Sequence, residues 1–318
     1  MEIALSIVGG GVALSGLAAL IIRTSLFPYF IAVAAAVPTT AAITIGENSV
    51  NAFYLLAIPA TGVGAVLWLD RDRRPRSEFA PLWWFFLIGI AATLVGPALF
   101  EGIRILLPGG GIDAQVLRPT PLAYNTSMAA QLGYLALGIG TAYYLSQTVV
   151  RPRRLLDVTF ATGILLSTVK WVFGVVGVPW PTTAFENFAR AGYNPFDLRH
   201  HGIFSEPSYF AAFVVSAFVF YLLQAQTVPA LRLWSIAMAL LAAGNLALTG
   251  SATGIATFII ASALLGAHAS SRFLTEGRPI PLPRALVATL IGILVVANWS
   301  LIWDAVLLLQ DKYESQSG

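Results

Sequence analysis

PSYFAAFVVSAFVFYLLQA, residues 207–225, runs for 19 residues without a single charged side chain. As α-helix at 1.5 Å per residue it rises about 28 Å, close to the roughly 30 Å of hydrocarbon in a bilayer. The next apolar stretch, RLWSIAMALLAAGNLALT at 232–249, carries one charge, at its first residue. Whole-chain composition agrees: of 318 residues 57% are hydrophobic and 10% charged, with a mean hydropathy of +0.78. A soluble domain carries about 25% charged residues, so an ordinary soluble enzyme is excluded. Lipid offers no partner to a free amide or carbonyl, and apolar runs of this length must therefore be helical.

Working outward from 207–225, the same ruler predicts spans at 3–22, 27–45, 51–69, 80–100, 124–146, 155–178, 232–249, 252–270 and 285–309. The expected fold is all-α, a polytopic integral membrane protein with about ten transmembrane helices in a single membrane domain, 1–318. Pro38 and Pro59 interrupt the second and third spans, which makes those two the weakest.

Formal net charge is +3. Nucleic-acid binding is not expected, because the basic residues do not gather on one face but sit in short clusters between apolar runs. Alternate loops (including about 70–79, 147–154 and 271–284) hold Arg23, Arg71, Arg73, Arg74, Arg76, Arg151, Arg153, Arg154, Arg232, Arg272, Arg278 and Arg284. The opposite side holds Arg104, Arg118, Arg190, Arg199 and Lys312. The Arg-rich side is the expected cytoplasmic one, which puts both chain ends outside. With no cysteine, disulfides, thiolate catalysis and Cys-ligated zinc are excluded.

Two outward segments, about 101–123 and 179–206, are long enough to carry chemistry. The second holds Glu186, Arg190, Asp197, Arg199, His200, His201 and Glu206. Neutral-range histidines suit general-base work; the alternative is an interfacial anchor. Adjacent histidines with no partner four residues away do not make a zinc pair, and no metal is expected. Ser205-Glu206-Pro207 reads as a helix start, with Ser as cap, Glu at the positive end of the dipole and Pro in the first turn. The same N-terminus beside Arg190 and Arg199 reads equally as an anion site. Loop charge paired with Glu186 and Asp197 is the plainer reading of those arginines. Lys170, about 12 Å of helix rise inside the sixth span, needs a partner or a water-filled cavity; the pairing expected first is Asp304, and the alternatives are a lipid phosphate or snorkelling.

GIFSEPSYFA at 202–211, LTGSATG at 248–254 and, more loosely, ITIGENSVNAFYLL at 43–56 resemble the O-antigen ligase/polymerase family. The SEPS segment is closest to its exopolysaccharide-polymerising members. The resemblance implies a multi-pass glycosyltransferase of the bacterial cytoplasmic membrane, serving exopolysaccharide or lipopolysaccharide biosynthesis. Its donor is an undecaprenyl-diphosphate-linked glycan and its acceptor a glycan or lipid, with membrane lipids and a chain-length regulator as further partners and no cofactor. Carried over by position, Arg190 and Arg199, with Lys170, hold the diphosphate, and His200, His201 or Glu206 helps deprotonate the acceptor hydroxyl. Two features depart from the family: Ala252 stands where members often carry Arg, and members continue past the point where this chain stops. A truncated member is therefore expected. Two rival readings are a transporter or flippase, motivated by Lys170, Asp304 and the prolines of spans two and three, and an inactive truncated homologue.

Overall fold

A computed structural model describes residues 3–45, 48–70, 79–106, 119–121, 123–124, 126–149, 151–187, 199–251, 253–262 and 264. Its contacts divide the chain into two units, 1–159 with 181–194 and 160–180 with 195–318.

The first unit opens with strand β1 (Ile3–Leu5), helix α1 (Ile7–Ile22), helix α2 (Phe27–Ala36) and strands β2 (Ala41–Ile45) and β3 (Asn48–Asn51). Helices α3 (Ala52–Leu69) and α4 (Ala80–Leu99) follow, then the two short strands β4 (Arg104–Leu106) and β5 (Pro119–Pro121) and helix α5 (Thr126–Thr148). Helix α6 (Pro152–Val175) starts in this unit and ends in the other, and the single turn α7 (Thr182–Phe185) belongs to the first.

Two of the predicted spans differ from expectation here. Residues 27–45 do not form one helix: α2 stops after 10 residues, about 15 Å of rise and half a bilayer. Pro38 contributes no amide hydrogen, so the helical bond it would make is lost. The backbone beyond it is satisfied by an antiparallel ladder, Ile3 opposite Ile45 and Ala41 opposite Asn51. Residues 3–22 likewise begin as strand, and α1 is 16 residues long, capped by Ser6, whose hydroxyl accepts from Gly10. Pro59, by contrast, lies inside a continuous α3. The segment 101–123 contains the β4–β5 ladder, with Ile105 opposite Thr120.

Alanines interleaved with a few large side chains form the core of this unit. Ala13, Phe27, Ile31, Ala34, Ala42, Ala52, Leu56 and Ala60 are buried with Tyr144. The Gly64 backbone approaches the Gly140 carbonyl so closely that an added Cβ would lie 3.2 Å from it. Lipid tails are as apolar as Leu, so helices here associate by close packing and hydrogen bonds rather than by burying oil from water.

The second unit contains the rest of α6, helix α8 (Pro207–Thr227), a 3-10 turn at Pro229–Leu231, helix α9 (Arg232–Thr249) and helix α10 (Thr253–Ser262). Phe210, Ala211, Val214, Ala217, Phe218 and Tyr221 of α8 are buried, as are Met238, Ala239, Ala242, Ala243 and Leu246 of α9. At one end of this hairpin the Ser235 hydroxyl meets Gln224 Oε1 at 2.8 Å. Phe218 packs on Phe258 of α10, ring centroids 4.8 Å apart, and Phe160 of α6 on Phe213, 5.4 Å apart.

Among the described residues, five helices are long and apolar enough to cross a membrane: α3, α4, α6, α8 and α9 with its preceding turn. On α4, Trp84 is 65%, Ile88 62% and Leu94 62% exposed. Such a continuous outward apolar surface has no place in water and is the lipid-facing side of a membrane helix. The protein is a helical membrane protein. The tenth predicted span, 285–309, lies outside the described residues, as does 265–270 of the ninth.

Candidate functional site

The site is built where the C-terminal part of α6, the start of α8, the end of α9 and the start of α10 come together, all within the second unit. Residues 199–206 run between them as irregular backbone. Such backbone survives in an apolar setting only when each polar group finds a partner. The His200 amide donates to the Leu248 carbonyl at 3.2 Å, one of the last carbonyls of α9 that has no partner within its own helix. The Ile203 amide donates to Ser167 Oγ of α6 at 3.3 Å. Between them Gly202 has φ +59°, and a Cβ there would run into the Ser167 hydroxyl. Only glycine meets both demands without strain.

Lys170 of α6 donates to the Gly202 carbonyl at 2.7 Å, and its Nζ lies 3.4 Å from His201 Nε2. The opposite nitrogen of that ring, Nδ1, is 2.6 Å from the Phe204 carbonyl. A carbonyl can only accept, so Nδ1 carries a hydrogen and Nε2 offers its lone pair to the lysine ammonium. His201 is buried and holds Lys170 from one side while Gly202 holds it from the other. Asp304, the partner expected first for Lys170, lies outside the described residues.

His200 faces the other way. Its Nε2 is 3.1 Å from Asn245 Oδ1 of α9, and its ring packs edge-on against Phe210 with centroids 5.4 Å apart. Burial is the chief force lowering its pKa from the ordinary 6.5 to about 4; the bond to Asn245 opposes that shift, while the nearby Lys170 charge and His201 add to it. The imidazole is therefore neutral at neutral pH.

Arg199 is exposed. Its stem passes over Gly250, the left-handed residue (φ +55°) that closes α9, where a Cβ would sit 3.6 Å from Arg199 Cδ. Beyond it the Ser251 hydroxyl accepts from the Gly254 amide at the start of α10, and a Cβ on Gly254 would strike Ala211 of α8. GIFSEPSYFA and LTGSATG, separate in sequence, thus lie against each other.

Glu206 differs in one respect from the sequence reading: it, and not Ser205, is the N-cap of α8, with Pro207 as the first helical residue. Its backbone carbonyl takes the Phe210 amide at 3.1 Å, and its exposed carboxylate accepts from Ser208 Oγ at 3.2 Å. Pro207 suits the first helical position, since an amide there has no partner within the helix and its fixed φ is helical.

Lys170, Arg199, His200, His201 and Glu206 are thus gathered at one end of this unit. Arg190 lies outside the described residues. Sequence reasoning missed Asn245, Ser167 and Thr168. Asn245 left a usable signal, an amide in the middle of the apolar run AAGNLAL, where a polar side chain demands partners. Ser167 and Thr168 left none, since hydroxyls bond their own helix backbone throughout this chain, as Thr159 does with Leu155. Among the described residues, no three His, Asp or Glu side chains group as metal ligands would. No protein-family model, curated protein or solved structure matches the chain.

Proposed function

We propose that this protein is an O-antigen ligase/polymerase-like glycosyltransferase, a polysaccharide polymerase by preference, joining undecaprenyl-diphosphate-linked glycans at the outer face of the bacterial cytoplasmic membrane. The observation that carries the reading is the meeting of the SEPS segment with LTGSATG around a lysine held at the end of an apolar helix. In this reading the chain crosses the membrane about ten times, with the 199–206 end outward.

The chemistry divides among residues of different character. Lys170 and Arg199, with Arg190, donate only and hold the diphosphate of the donor. The acceptor hydroxyl attacks the anomeric carbon, a carbon–oxygen bond forms, and the bond from that carbon to the diphosphate breaks. The electron pair leaves with undecaprenyl diphosphate, whose growing charge the fixed cations stabilise. Both nitrogens of His201 are engaged, so it acts by positioning Lys170. The hydroxyl proton goes to the exposed Glu206 carboxylate, which has accepting capacity beyond its bond to Ser208.

The test is reconstitution of purified protein in nanodiscs with a lipid-diphosphate-linked repeat unit, followed by product sizing. Longer glycans are expected from the wild type, and about 10²–10³-fold fewer from Arg199→Ala. Absence of lengthening by well-folded wild-type protein sinks the reading. A second reading, a transporter or flippase, draws on the interrupted α2; it is favoured if vesicles move the lipid-linked glycan without changing its length.

A further inference from the structure

Asn245 is 3% exposed inside the apolar helix α9, a costly place for an amide unless all of it is bonded. Its Nδ2 lies 2.9 Å from the Leu241 carbonyl and 2.8 Å from Thr168 Oγ1. The carbonyl can only accept. The Thr168 hydroxyl gives its own hydrogen to the Ile164 carbonyl at 2.8 Å, so toward Asn245 it too accepts. Turning the amide over would set its oxygen against two acceptors, and its orientation is thereby fixed. Oδ1 must face His200 Nε2, and Nε2 must carry the hydrogen.

We infer that Asn245 is a positioning residue that locks His200 as the neutral Nε2–H tautomer, leaving Nδ1 as a standing hydrogen-bond acceptor for a hydroxyl of the acceptor glycan. The substrate class follows from complementarity. Lys170 and Arg199 can only donate and suit phosphate oxygens. A neutral ring nitrogen with a lone pair repels those oxygens and takes a sugar hydroxyl instead. A second proton on the ring is opposed by Lys170 from α6 and by the adjacent Arg199 and His201 of the same segment; α9 presents the uncharged Asn245. The hydroxyl assignment rests on the proposed glycosyltransferase reading, whereas the tautomer does not.

The experiment is 15N NMR of histidine-labelled protein in nanodiscs, with the 3 histidines assigned by His201→Gln and His268→Gln. Between pH 8 and pH 5.5 the wild-type His200 is expected to show a protonated Nε2 and an unprotonated Nδ1. Asn245→Asp, whose carboxylate favours imidazolium, is expected to protonate both nitrogens at neutral pH. Thr168→Val removes one anchor of the amide and is expected to give a mixture of tautomers, which serves if the Asp variant does not fold. An Nδ1–H tautomer, or ordinary titration near 6.5 in the wild type, overturns the inference whatever the protein's activity. In reconstituted polymerisation, Asn245→Asp is expected to raise KM for the acceptor about tenfold, the value of one hydrogen bond, with kcat changed less. An unchanged KM alongside the expected tautomer overturns the hydroxyl assignment alone.

Discussion

Among the described residues, two non-helical stretches meet their backbone's needs differently: 37–45 with 48–51 in the first unit, and 199–206 in the second. In the first, neutral groups suffice. The β1–β2–β3 ladder takes most amides and carbonyls, Asn51 accepts from Phe53 at 2.7 Å to cap α3, Asn187 accepts from the Ala41 amide at 2.8 Å, and Thr40 donates to the Phe185 carbonyl at 2.7 Å. In the second, the same kind of task at the Gly202 carbonyl falls to a lysine ammonium. A charge beside apolar helices is costlier to desolvate than an amide or hydroxyl, and in the first region neutral groups meet the same need. In the proposed reading, that charge serves the diphosphate of the donor.

That contrast can be broken most directly at Lys170. Lys170→Gln keeps a donor for the Gly202 carbonyl and removes the charge. Glycan lengthening in nanodiscs is expected to fall about 10²–10³-fold, with little change in the unfolding midpoint. A large loss of stability with proportionate loss of activity would make Lys170 as structural as Asn51.

Glycine replacements sharpen the comparison with a smaller effect. A Cβ on Gly9 would strike the Ala41 carbonyl, and one on Gly202 the Ser167 hydroxyl. Gly202 also needs a left-handed backbone, worth about 1–3 kcal/mol against any other residue. Both Ala variants are expected to lower the thermal midpoint in detergent. Only Gly202→Ala is expected to cost activity beyond its loss of folded protein, because its carbonyl holds Lys170. Equal activity per folded molecule in the two variants would remove the distinction.

The smallest effect is a pH slope. A histidine whose native pKa is lowered from 6.5 to about 4 binds fewer protons folded than released. Its part of the stability is complete above about pH 6.5 and is lost as pH falls through 6.5 toward 4, by at most tenfold in the equilibrium constant per pH unit. Limited proteolysis of the 199–206 segment across that range is expected to rise on acidification in the wild type and to rise less in His200→Gln. The 37–51 segment, which contains no histidine, is expected to show no such slope.

Much of the fold was legible in the sequence. Residues 51–69, 80–100, 207–225 and 232–249 read as helices from apolar length alone and differ from the observed helices by a few residues at their ends. Pro38 marked the weakness at 27–45, and the β-branched run Ile43-Thr44-Ile45 favours a strand, but so short a run does not decide it; that depended on partners upstream, at β1, and just downstream, at β3. In the candidate site, the charged residues stood out because charge is rare in this chain. Their bonding partners did not, since adjacent His200 and His201 look alike until their neighbours are known.

What the sequence determined by itself is the solvent: 10% charged residues in short clusters between long apolar runs require a bilayer and therefore helices, because hydrocarbon leaves backbone groups no other partner. What only tertiary structure decided is which nitrogen of each histidine carries its hydrogen and which group holds Lys170. Those are properties of donors and acceptors brought from α6, the 199–206 segment and α9 to within 2.6–3.4 Å of one another. A hydrogen bond is made by position, and position between distant segments is not written in either segment alone.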